Sequence, residues 1–513
     1  MFAKIKNKYS ELSKPLKATI WFTFSVFLQK GIYILSTPIY TRLLDKEEYG
    51  YFSVYQSWFD ILLIIATLNL SGGVMNNALN KCKKEEDKNK VLSNFQILEL
   101  FTIVIALFVV ISLNFYNANI FGMPNHIIVL LFVQILANSG MSLWMTKERF
   151  DFNYRWPVII SLVTTALNLG LGVLFIKYGD NRMYSLIYGA VFSCLIPYGL
   201  LVFLNIINGK FRMSLKLWKY ALKFNIPLLP HYLSLVILGM ADRIMIERFC
   251  GLTDTSLYTV AYNIAKAINL FCTGISIVLT PWIYKKMNEE KYGDIKRVST
   301  IIMISLTIIC FMIMIFGPEA LYILGGNAYV EAKNVIPPVI VGLFFMFLYP
   351  LYGTIEFYYE KNIYTMIASV IAAASNIALN FVFIPKFGYV AAAYTTLVCY
   401  MLLAIFHLFA YKIILNKKEV YSIYSDKIIA LLSLLVLMLI PFMYLLYLNN
   451  IVRYLAIAAI IVILIIILIN YKNIISYVKK KNTNSEVREN VNVNINLIND
   501  INEEYKVESK NGK

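Results

Sequence analysis

Apolar runs of about 20 residues recur along the chain, and each is long enough to cross the roughly 30 Å hydrocarbon core of a bilayer. A backbone inside a membrane must satisfy its own hydrogen bonds, which leaves only helices and closed barrels. Barrel strands would appear as segments of about ten residues with alternating polarity, and the sequence has no such pattern. The 513 residues are 59% hydrophobic and only 15% charged. The sequence therefore predicts an all-α polytopic membrane protein.

We predict fourteen transmembrane spans, with both termini on the cytoplasmic side of the cell membrane. With the N-terminus placed inside, 36 of the 47 Lys and Arg residues fall in cytoplasmic segments, 8 in the opposite loops and 3 within spans. Such an excess is typical of cytoplasmic loops, and it accounts for the net charge of +17 without a nucleic-acid partner. The predicted spans are 18–41, 50–73, 92–113, 126–146, 157–177, 183–207, 224–247, 257–282, 299–324, 335–358, 363–385, 390–411, 428–448 and 451–471.

The spans divide the chain into two six-helix lobes around a central cavity, with two further helices after them. The first apolar segment lacks the small-residue cleavage site of a signal peptide, so we read it as a permanent span. The loops on the outer side are short, and the longest, 114–126, leaves no room for a catalytic domain. The tail is rich in Asn, Lys and Glu and is predicted to be disordered. The expected domains are a basic N-terminus (1–17), an N-lobe (18–207), a cytoplasmic linker (208–223), a C-lobe (224–411), spans 13 and 14 (428–471) and a cytoplasmic tail (472–513).

Two pairs of segments indicate an internal repeat. RLLDKEEYGYFSVYQ (42–56) aligns with RFCGLTDTSLYTVAY (248–262), and SLVTTALNLGLGVLFI (161–176) aligns with SVIAAASNIALNFVFI (369–384). Because the offset corresponds to six spans, the two copies would share one topology. They would be related by an axis along the membrane normal, with a central site between them. Chance similarity between apolar helices is the alternative.

Several ionisable residues lie inside predicted spans, where a charge is costly, and four of them stand out. Lys30, Asp60 and Lys266 fall near the centres of spans 1, 2 and 8, and Glu99 lies in the first half of span 3. A charge at the bilayer centre costs about 3 kcal/mol on insertion scales, so such residues usually face a bundle interior or a wet cavity. In the repeat, Asp60 aligns with Lys266.

The cations have two interpretations. In the first, they form a hydrated cavity that attracts an anionic substrate group, with the candidate residues Gln29, Lys30, Arg243 and Lys266. In the second, the lysines pair with Asp60 or Glu99 and only hold helices together. Arg243 also lies near the outer end of its span, where its side chain would reach the lipid headgroups.

The acidic residues Asp60, Glu99 and Asp242 have a matching pair of interpretations. A buried carboxyl group can exchange a proton, or bind a cation, as the substrate charge arrives and leaves. Coupling to an H⁺ or Na⁺ gradient would use this property. Pairing with neighbouring cations is the alternative.

Prolines indicate where the first helices of the two lobes bend. Pro38 in span 1, and Pro227 and Pro230 in span 7, each remove a main-chain hydrogen-bond donor. Bends at these positions suit a gate for alternating access, and static kinks are the alternative.

Neither a metal site nor a nucleotide site is indicated. The six Cys and three His are scattered, with no CxxC spacing. The phosphate-binding pattern G-x-x-x-x-G-K-[ST] is lacking. We therefore expect no cofactor, no catalytic residues and no enzymatic activity.

Three segments resemble the Wzx-type polysaccharide and O-antigen flippases of the multidrug/oligosaccharidyl-lipid/polysaccharide (MOP) exporter superfamily. They are LQKGIYILSTPIYTRLLDKEEYGYFSVY, FNIPLLPHYLSLVILGMADRIMIERFCGLTDTSLYTVAYNIAKAI and SNIALNFVFIPKFGYVAAAYTTLV. Together with the span count, the resemblance covers about residues 10 to 470. The residues that match are Gln29, Pro38, Arg42, Leu44, Gly50, Pro227, Pro230, Asp242, Arg243, Tyr258, Tyr262, Asn376, Asn380, Pro385 and Gly388.

The resemblance implies a V-shaped pair of lobes and movement of an undecaprenyl-pyrophosphate-linked oligosaccharide from the inner to the outer leaflet. It also implies cavity cations on the anionic head group, an ion gradient as the driving force, and contact with membrane lipids and with polysaccharide polymerase or export proteins. A lipid II-type flippase is an alternative that differs only in substrate. A MATE-like small-molecule or cation antiporter would need a cavity dominated by carboxylates. A membrane glycosyltransferase or polymerase would need a large extramembrane loop or an acidic catalytic motif.

Overall fold

The computed structural model describes residues 12–116, 120–211, 213–418, 420 and 422–469, and every regular element in these ranges is a helix. Twelve helices of the described ranges are long and apolar enough to cross a membrane. The chain is therefore an α-helical multi-pass membrane protein, as predicted, although the count of fourteen is not confirmed. The second and fourteenth predicted spans are helical but are not among the twelve.

The described α-helices, numbered here in chain order, follow the predicted spans with three additions. The additions are the short helices α3, α8 and α12, and 3-10 helices lie at Leu70–Gly72, Ile226–Leu228 and Asn327–Val335. The α-helices are α1 (Lys14–Leu43), α2 (Lys46–Thr67), α3 (Val74–Asn80), α4 (Glu85–Tyr116), α5 (Asn125–Phe150), α6 (Arg155–Tyr178), α7 (Arg182–Asn208), α8 (Leu215–Asn225), α9 (Leu229–Cys250), α10 (Leu252–Asn288), α11 (Tyr292–Ile315), α12 (Gly317–Gly325), α13 (Ile336–Tyr358), α14 (Asn362–Phe387), α15 (Tyr389–Lys417), α16 (Asp426–Leu448) and α17 (Asn450–Ile469).

The chain forms two compact units, Met1–Met443 and Tyr444–Lys513, and the candidate site lies in the first. Within that unit α4, α5 and α7 pack on one another, as do α13, α14 and α15. We call α1–α7 the N-half and α9–α15 the C-half. The side on which α1 begins is called the basic side, and the side on which it ends the far side. The division into two lobes and the sidedness in the cell remain predictions, and the N-terminus before residue 12 and the predicted tail lie outside the described residues.

The two halves meet where α2 packs against α9 and α10. Gly50, in the first turns of α2, permits the closest approach. A Cβ built on Gly50 would lie 2.0 Å from the main-chain oxygen of Leu252. Only a residue without a side chain fits there, because both partners of this contact are backbone.

Two polar contacts strengthen the same far-side junction. The Arg42 Nη2 donates to the main-chain oxygen of Ile323 at 3.0 Å, and the Lys46 Nζ lies 2.5 Å from the Glu331 carboxylate. Each contact joins the end of α1 or the start of α2 to the segment between α11 and α13.

On the basic side, α2 ends earlier than the predicted span 50–73. Thr67 is its last residue, because Leu68 and Asn69 adopt left-handed φ angles of 51° and 49°. The Asn225 side chain at the end of α8 compensates for the lost helical bonds. Its Nδ2 donates to the oxygens of Leu68 and Asn69 at 2.9 and 2.8 Å, and its Oδ1 accepts from the Val74 N–H at 3.2 Å. The predicted linker therefore contains a helix that is anchored to the N-half.

On the far side, the segment between α11 and α13 is longer than predicted. The expected span 299–324 ends at Ile315, because Gly317 and Pro318 begin the separate helix α12. Proline cannot continue a helix from the preceding turn, since it lacks the donor and its ring clashes with the earlier carbonyl. Residues 316–335 thus form a helical far-side segment between α11 and α13.

The prolines of the two halves differ in position. Pro38 lies inside α1, as predicted. Pro227 lies in the 3-10 helix that joins α8 to α9, and Pro230 is in the first turn of α9. First-turn N–H groups have no partner within a helix, so proline is tolerated there. Pro227 and Pro230 therefore lie where α8 passes into α9 through the 3-10 helix, and a bend or gate at this point stays a prediction.

Aligned positions of the predicted repeat make corresponding contacts. The Ser161 hydroxyl on α6 lies 3.2 Å from Ser25 on α1, and Ser369, aligned with Ser161, lies 2.8 Å from His231 on α9. A second aligned pair is Asn168 and Asn376, one in each half. The Asn168 amide donates to the Ser193 hydroxyl on the following helix, and the Asn376 amide donates to the Thr396 hydroxyl on its following helix. Matching side-chain contacts favour a true repeat over chance similarity.

Candidate functional site

A cavity of about 640 Å³ lies between the two halves. The N-half lines it with α1, α2, α5, α6 and α7, whose polar faces point inward from otherwise apolar helices. The C-half contributes Met240, Arg243, Thr259 and Lys266 from α9 and α10. The site therefore combines helices that are distant in sequence.

The cavity brings together the five predicted polar residues Gln29, Lys30, Asp60, Arg243 and Lys266. With a helical rise of 1.5 Å per residue, Lys30, Asp60 and Lys266 lie about 20 Å from the far-side ends of their helices. These three side chains are thus at one level, in the middle of the membrane-spanning part. Three cations and one carboxylate face a single space.

Arg243 is held within the protein and not at the lipid headgroups. Its side chain is only 3% exposed, and its guanidinium carbon lies 4.6 Å from the ring centroid of Tyr262. The Nη1 donates to the Gly239 main-chain oxygen at 2.7 Å. Among the described residues the Nη2 has no hydrogen-bond partner, and Arg243 is one of the residues that line the cavity.

The other cavity charges are close to one another without forming tight pairs. Within the described residues, no N–O distance of 4.0 Å or less joins Asp60 to Lys30, Lys266 or Arg243. Asp60 instead accepts a hydrogen bond from the Gln56 amide at 3.2 Å. The Lys266 ammonium lies 5.2 Å from the ring centroid of Tyr33. The contacts therefore do not give these lysines a purely helix-joining role.

The Gln29 side chain is positioned by the N-half. Its Nε2 donates to the hydroxyls of Ser25 and Ser161 at 2.9 and 3.2 Å. This fixes the amide at the cavity edge, next to Lys30.

Glu99 and Asp242 do not line the cavity. Glu99 is 1% exposed in the interior of the N-half, and one of its carboxylate oxygens has no hydrogen-bond partner among the described residues. Asp242 is fully buried in the C-half, where it accepts hydrogen bonds from Tyr258, Thr396 and Asn380 at 2.5, 2.7 and 2.8 Å. Neither carboxylate lies within 4.0 Å of a Lys or Arg nitrogen in the described part of the chain, so neither forms a close ion pair there.

The predicted site did not include the neutral polar residues that form much of the lining. They follow helical spacing, for example Gln134 and Asn138 on α5 and Thr164, Thr165 and Asn168 on α6. That spacing within apolar spans is the signal that marks one polar face per helix.

A buried pair in the C-half was also missed, because the histidines are isolated in sequence. The His407 Nδ1 lies 2.6 Å from the Glu356 carboxylate, and both side chains are inaccessible to solvent. The Thr365 hydroxyl donates to the other Glu356 oxygen at 2.7 Å. This cluster lies away from the cavity and joins α13, α14 and α15.

Two family models match the chain. One, described as "Polysaccharide biosynthesis protein", matches residues 16–287, which is more than half of the 513 residues. The other, MatE, matches residues 227–382.

Curated proteins and solved structures show the same similarity at low identity. The chain is 21% identical over 394 residues to Lsg locus putative protein 1 of Haemophilus influenzae, covering 74% of this chain and 95% of that protein. It is 20% identical over 386 residues to the probable low-salt glycan biosynthesis flippase Agl15 of Haloferax volcanii, with coverages of 74% and 79%. The structure of the lipid II flippase MurJ in an inward closed conformation superposes with a TM-score of 0.63 at 16% identity, covering 86% of this chain and 98% of that one. The fold is thus shared with MurJ.

Proposed function

The chain belongs to the polysaccharide biosynthesis protein family, and on that premise we propose that it is a flippase for a lipid-linked oligosaccharide. The substrate is an undecaprenyl-pyrophosphate-linked repeat unit, moved from the cytoplasmic to the outer leaflet by alternating access. The Haloferax relative is named as a probable glycan biosynthesis flippase, which supports transport over an enzymatic role.

The cationic cavity is the observation that carries this proposal. A pyrophosphate and its sugars cannot cross hydrocarbon without polar partners, because each unpaired polar group costs several kcal/mol there. Lys30, Lys266 and Arg243 supply positive charge at the depth where that cost is greatest. Among the described residues, the Arg243 Nη2 is a donor without a hydrogen-bond partner. Guanidinium groups match phosphate oxygens in geometry as well as charge.

The buried carboxyl groups support coupling to an H⁺ or Na⁺ gradient. Glu99 and Asp242 are buried without a close ion pair among the described residues, so a proton or a cation would offset the cost of burying their charge. One lies in each half, outside the cavity. A coupling ion bound there would act on the packing of each half and not on the substrate itself.

A MATE-like antiporter is the second candidate, favoured by the MatE match over residues 227–382. The cavity weighs against it, since a cationic substrate needs carboxylates and Asp60 is the one carboxylate among the lining residues. A lipid II-type substrate would use the same cations and differs only in its sugars and peptide.

The proposed location is the cytoplasmic membrane, with both termini in the cytoplasm. Membrane lipids would surround the helices, and the lipid tail of the substrate would stay in the bilayer while its head group occupies the cavity. Polysaccharide polymerase or export proteins are the expected partners.

A proteoliposome assay tests this proposal. A fluorescent lipid-linked oligosaccharide is incorporated, and its transfer between leaflets is followed with a membrane-impermeant quencher. We expect transfer with the wild-type protein and at least a tenfold slower rate for Lys266→Met, since a charge-assisted contact contributes about 1.5–3 kcal/mol. Lys177→Met is the matched control, because Lys177 is exposed and does not line the cavity.

Three outcomes would contradict the proposal. They are no transfer above protein-free liposomes, equal slowing by both variants, and transport of an organic cation in place of the lipid-linked glycan.

A further inference from the structure

One wall of the cavity has no charged side chain. The lining residues on α5, α6 and α7 include amides and hydroxyls but no Lys, Arg, Asp or Glu. We call five of them the amide wall: Gln134, Asn138, Thr165, Asn168 and Ser193.

Hydrogen bonds within the protein hold the amide wall in place and leave part of each amide unused. The Tyr55 hydroxyl donates to the Gln134 Oε1 at 2.6 Å, and the Asn138 Nδ2 donates to the Gln134 main-chain oxygen at 2.9 Å. The Asn168 Nδ2 lies 3.5 Å from the Ser193 hydroxyl. Among the described residues, the Gln134 Nε2 and the side-chain oxygens of Asn138 and Asn168 have no further partner. The wall thus presents one oriented donor group and two acceptors.

The amide wall and the C-half cations lie on different sides of the cavity. Arg243 and Lys266 are on α9 and α10, which pack against α2, whereas α5 and α6 each pack against α7 within the N-half. A ligand that spans the cavity therefore meets Arg243 and Lys266 at one end and neutral hydrogen-bonding groups at the other, while Lys30 lies on α1, which packs against α6.

The two ends suit two different chemical groups. Phosphate oxygens need cations or several N–H donors. Uncharged sugars carry hydroxyl and acetamido groups, which both donate and accept hydrogen bonds, as amides and hydroxyls do. A wall of buried amides also discriminates strongly, because a ligand without matching groups leaves those amides unpaired.

We propose that the amide wall is the subsite for an uncharged hexose or N-acetylhexosamine next to the phosphates, and that it determines which glycan is accepted. This proposal rests on the proposed function. The cations bind the diphosphate group that all lipid-diphosphate substrates share, and the amide wall selects the sugar.

Binding of two probes to the purified full chain tests the subsite. One probe is farnesyl diphosphate, and the other is the same diphosphate carrying a single N-acetylhexosamine. We expect the wild type to bind the sugar probe at least tenfold more tightly. Asn138→Leu and Asn168→Leu should each reduce that preference about two- to tenfold, the value of one neutral hydrogen bond. Ser142→Ala is the matched control, since Ser142 lies one turn from Asn138 on α5 and outside the cavity lining.

The sugar-free probe reports whether each variant is folded, since its affinity should stay within twofold of wild type. Equal binding of both probes by the wild type, or equal weakening of both by the wall variants, overturns the subsite while the proposed function stands. Failure of the wild type to bind either probe overturns the proposed function and the subsite with it.

Discussion

Gly50→Ala is expected to open the far-side junction between the two halves. An added Cβ would lie 2.0 Å from the Leu252 main-chain oxygen and 2.8 Å from its carbonyl carbon. Ordinary contact begins at 3.4 Å, so α2 and α10 must separate by about 1.4 Å at this point. No rotamer change can relieve the clash, because the atoms belong to two helix backbones.

The energetic effect follows from the cost of overpacking. An extra methyl group in a well-packed contact typically costs about 1–3 kcal/mol. Under the proposed alternating access, the cost applies to the state in which the far side is closed and is relieved when it opens. The closed-to-open ratio should therefore fall by about five- to 150-fold.

Distances between spin labels on the two halves measure this change. In a protein whose six native cysteines are replaced, nitroxides at positions 180 and 322 would label exposed far-side residues of the N-half and C-half. Double electron–electron resonance should show a longer-distance population in Gly50→Ala. Gly170→Ala is the matched control, because no atom lies within 4 Å of its added Cβ.

An unchanged distance distribution and unchanged thermal stability in Gly50→Ala would refute the reasoning. So would an equal change in Gly170→Ala, since it would reflect altered helix propensity and not the contact with Leu252.

Three further predictions concern stability. Glu356→Ala should lower the unfolding free energy by about 3–5 kcal/mol, because it leaves His407 without its partner in the C-half interior. Glu356→Gln should lower it less, and equal losses of thermal stability in the two variants would contradict the pairing. Asn225→Ala should lower the unfolding free energy by about 1–3 kcal/mol, because the carbonyls after α2 lose their hydrogen-bond donor. Hydrogen exchange in residues 68–80 should accelerate, and unchanged protection would contradict the anchoring role of Asn225. Lys46→Met should lower the unfolding free energy by less than about 1 kcal/mol, since its ion pair with Glu331 is partly exposed. A decrease of more than about 2 kcal/mol would contradict this expectation.

The helical class could be predicted from sequence because membrane burial demands long apolar segments. Helix ends were harder to predict. The end of α2 depends on the left-handed conformations of Leu68 and Asn69, and the capping Asn225 comes from a distant part of the sequence. The break before α12 was marked by Gly317 and Pro318, but apolar residues on both sides obscured it.

The charged part of the site was visible in sequence because a Lys or Asp in a span is costly. Lys30, Asp60 and Lys266 were found in this way, and they line one cavity. Neutral amides such as Asn138 cost less free energy to place in a span than a charged residue does. A single amide in an apolar segment therefore does not mark a site. The Glu356–His407 contact joins residues 51 positions apart in sequence on separate helices, so it needed the packing of α13 and α15.

Leaflet transfer by cavity-charge variants tests the central claim most directly. In proteoliposomes with the lipid-linked oligosaccharide, Lys30→Ala and Arg243→Gln should each slow transfer at least tenfold, with normal expression and insertion. Transfer at the wild-type rate by both variants would contradict a cationic cavity that binds the anionic head group.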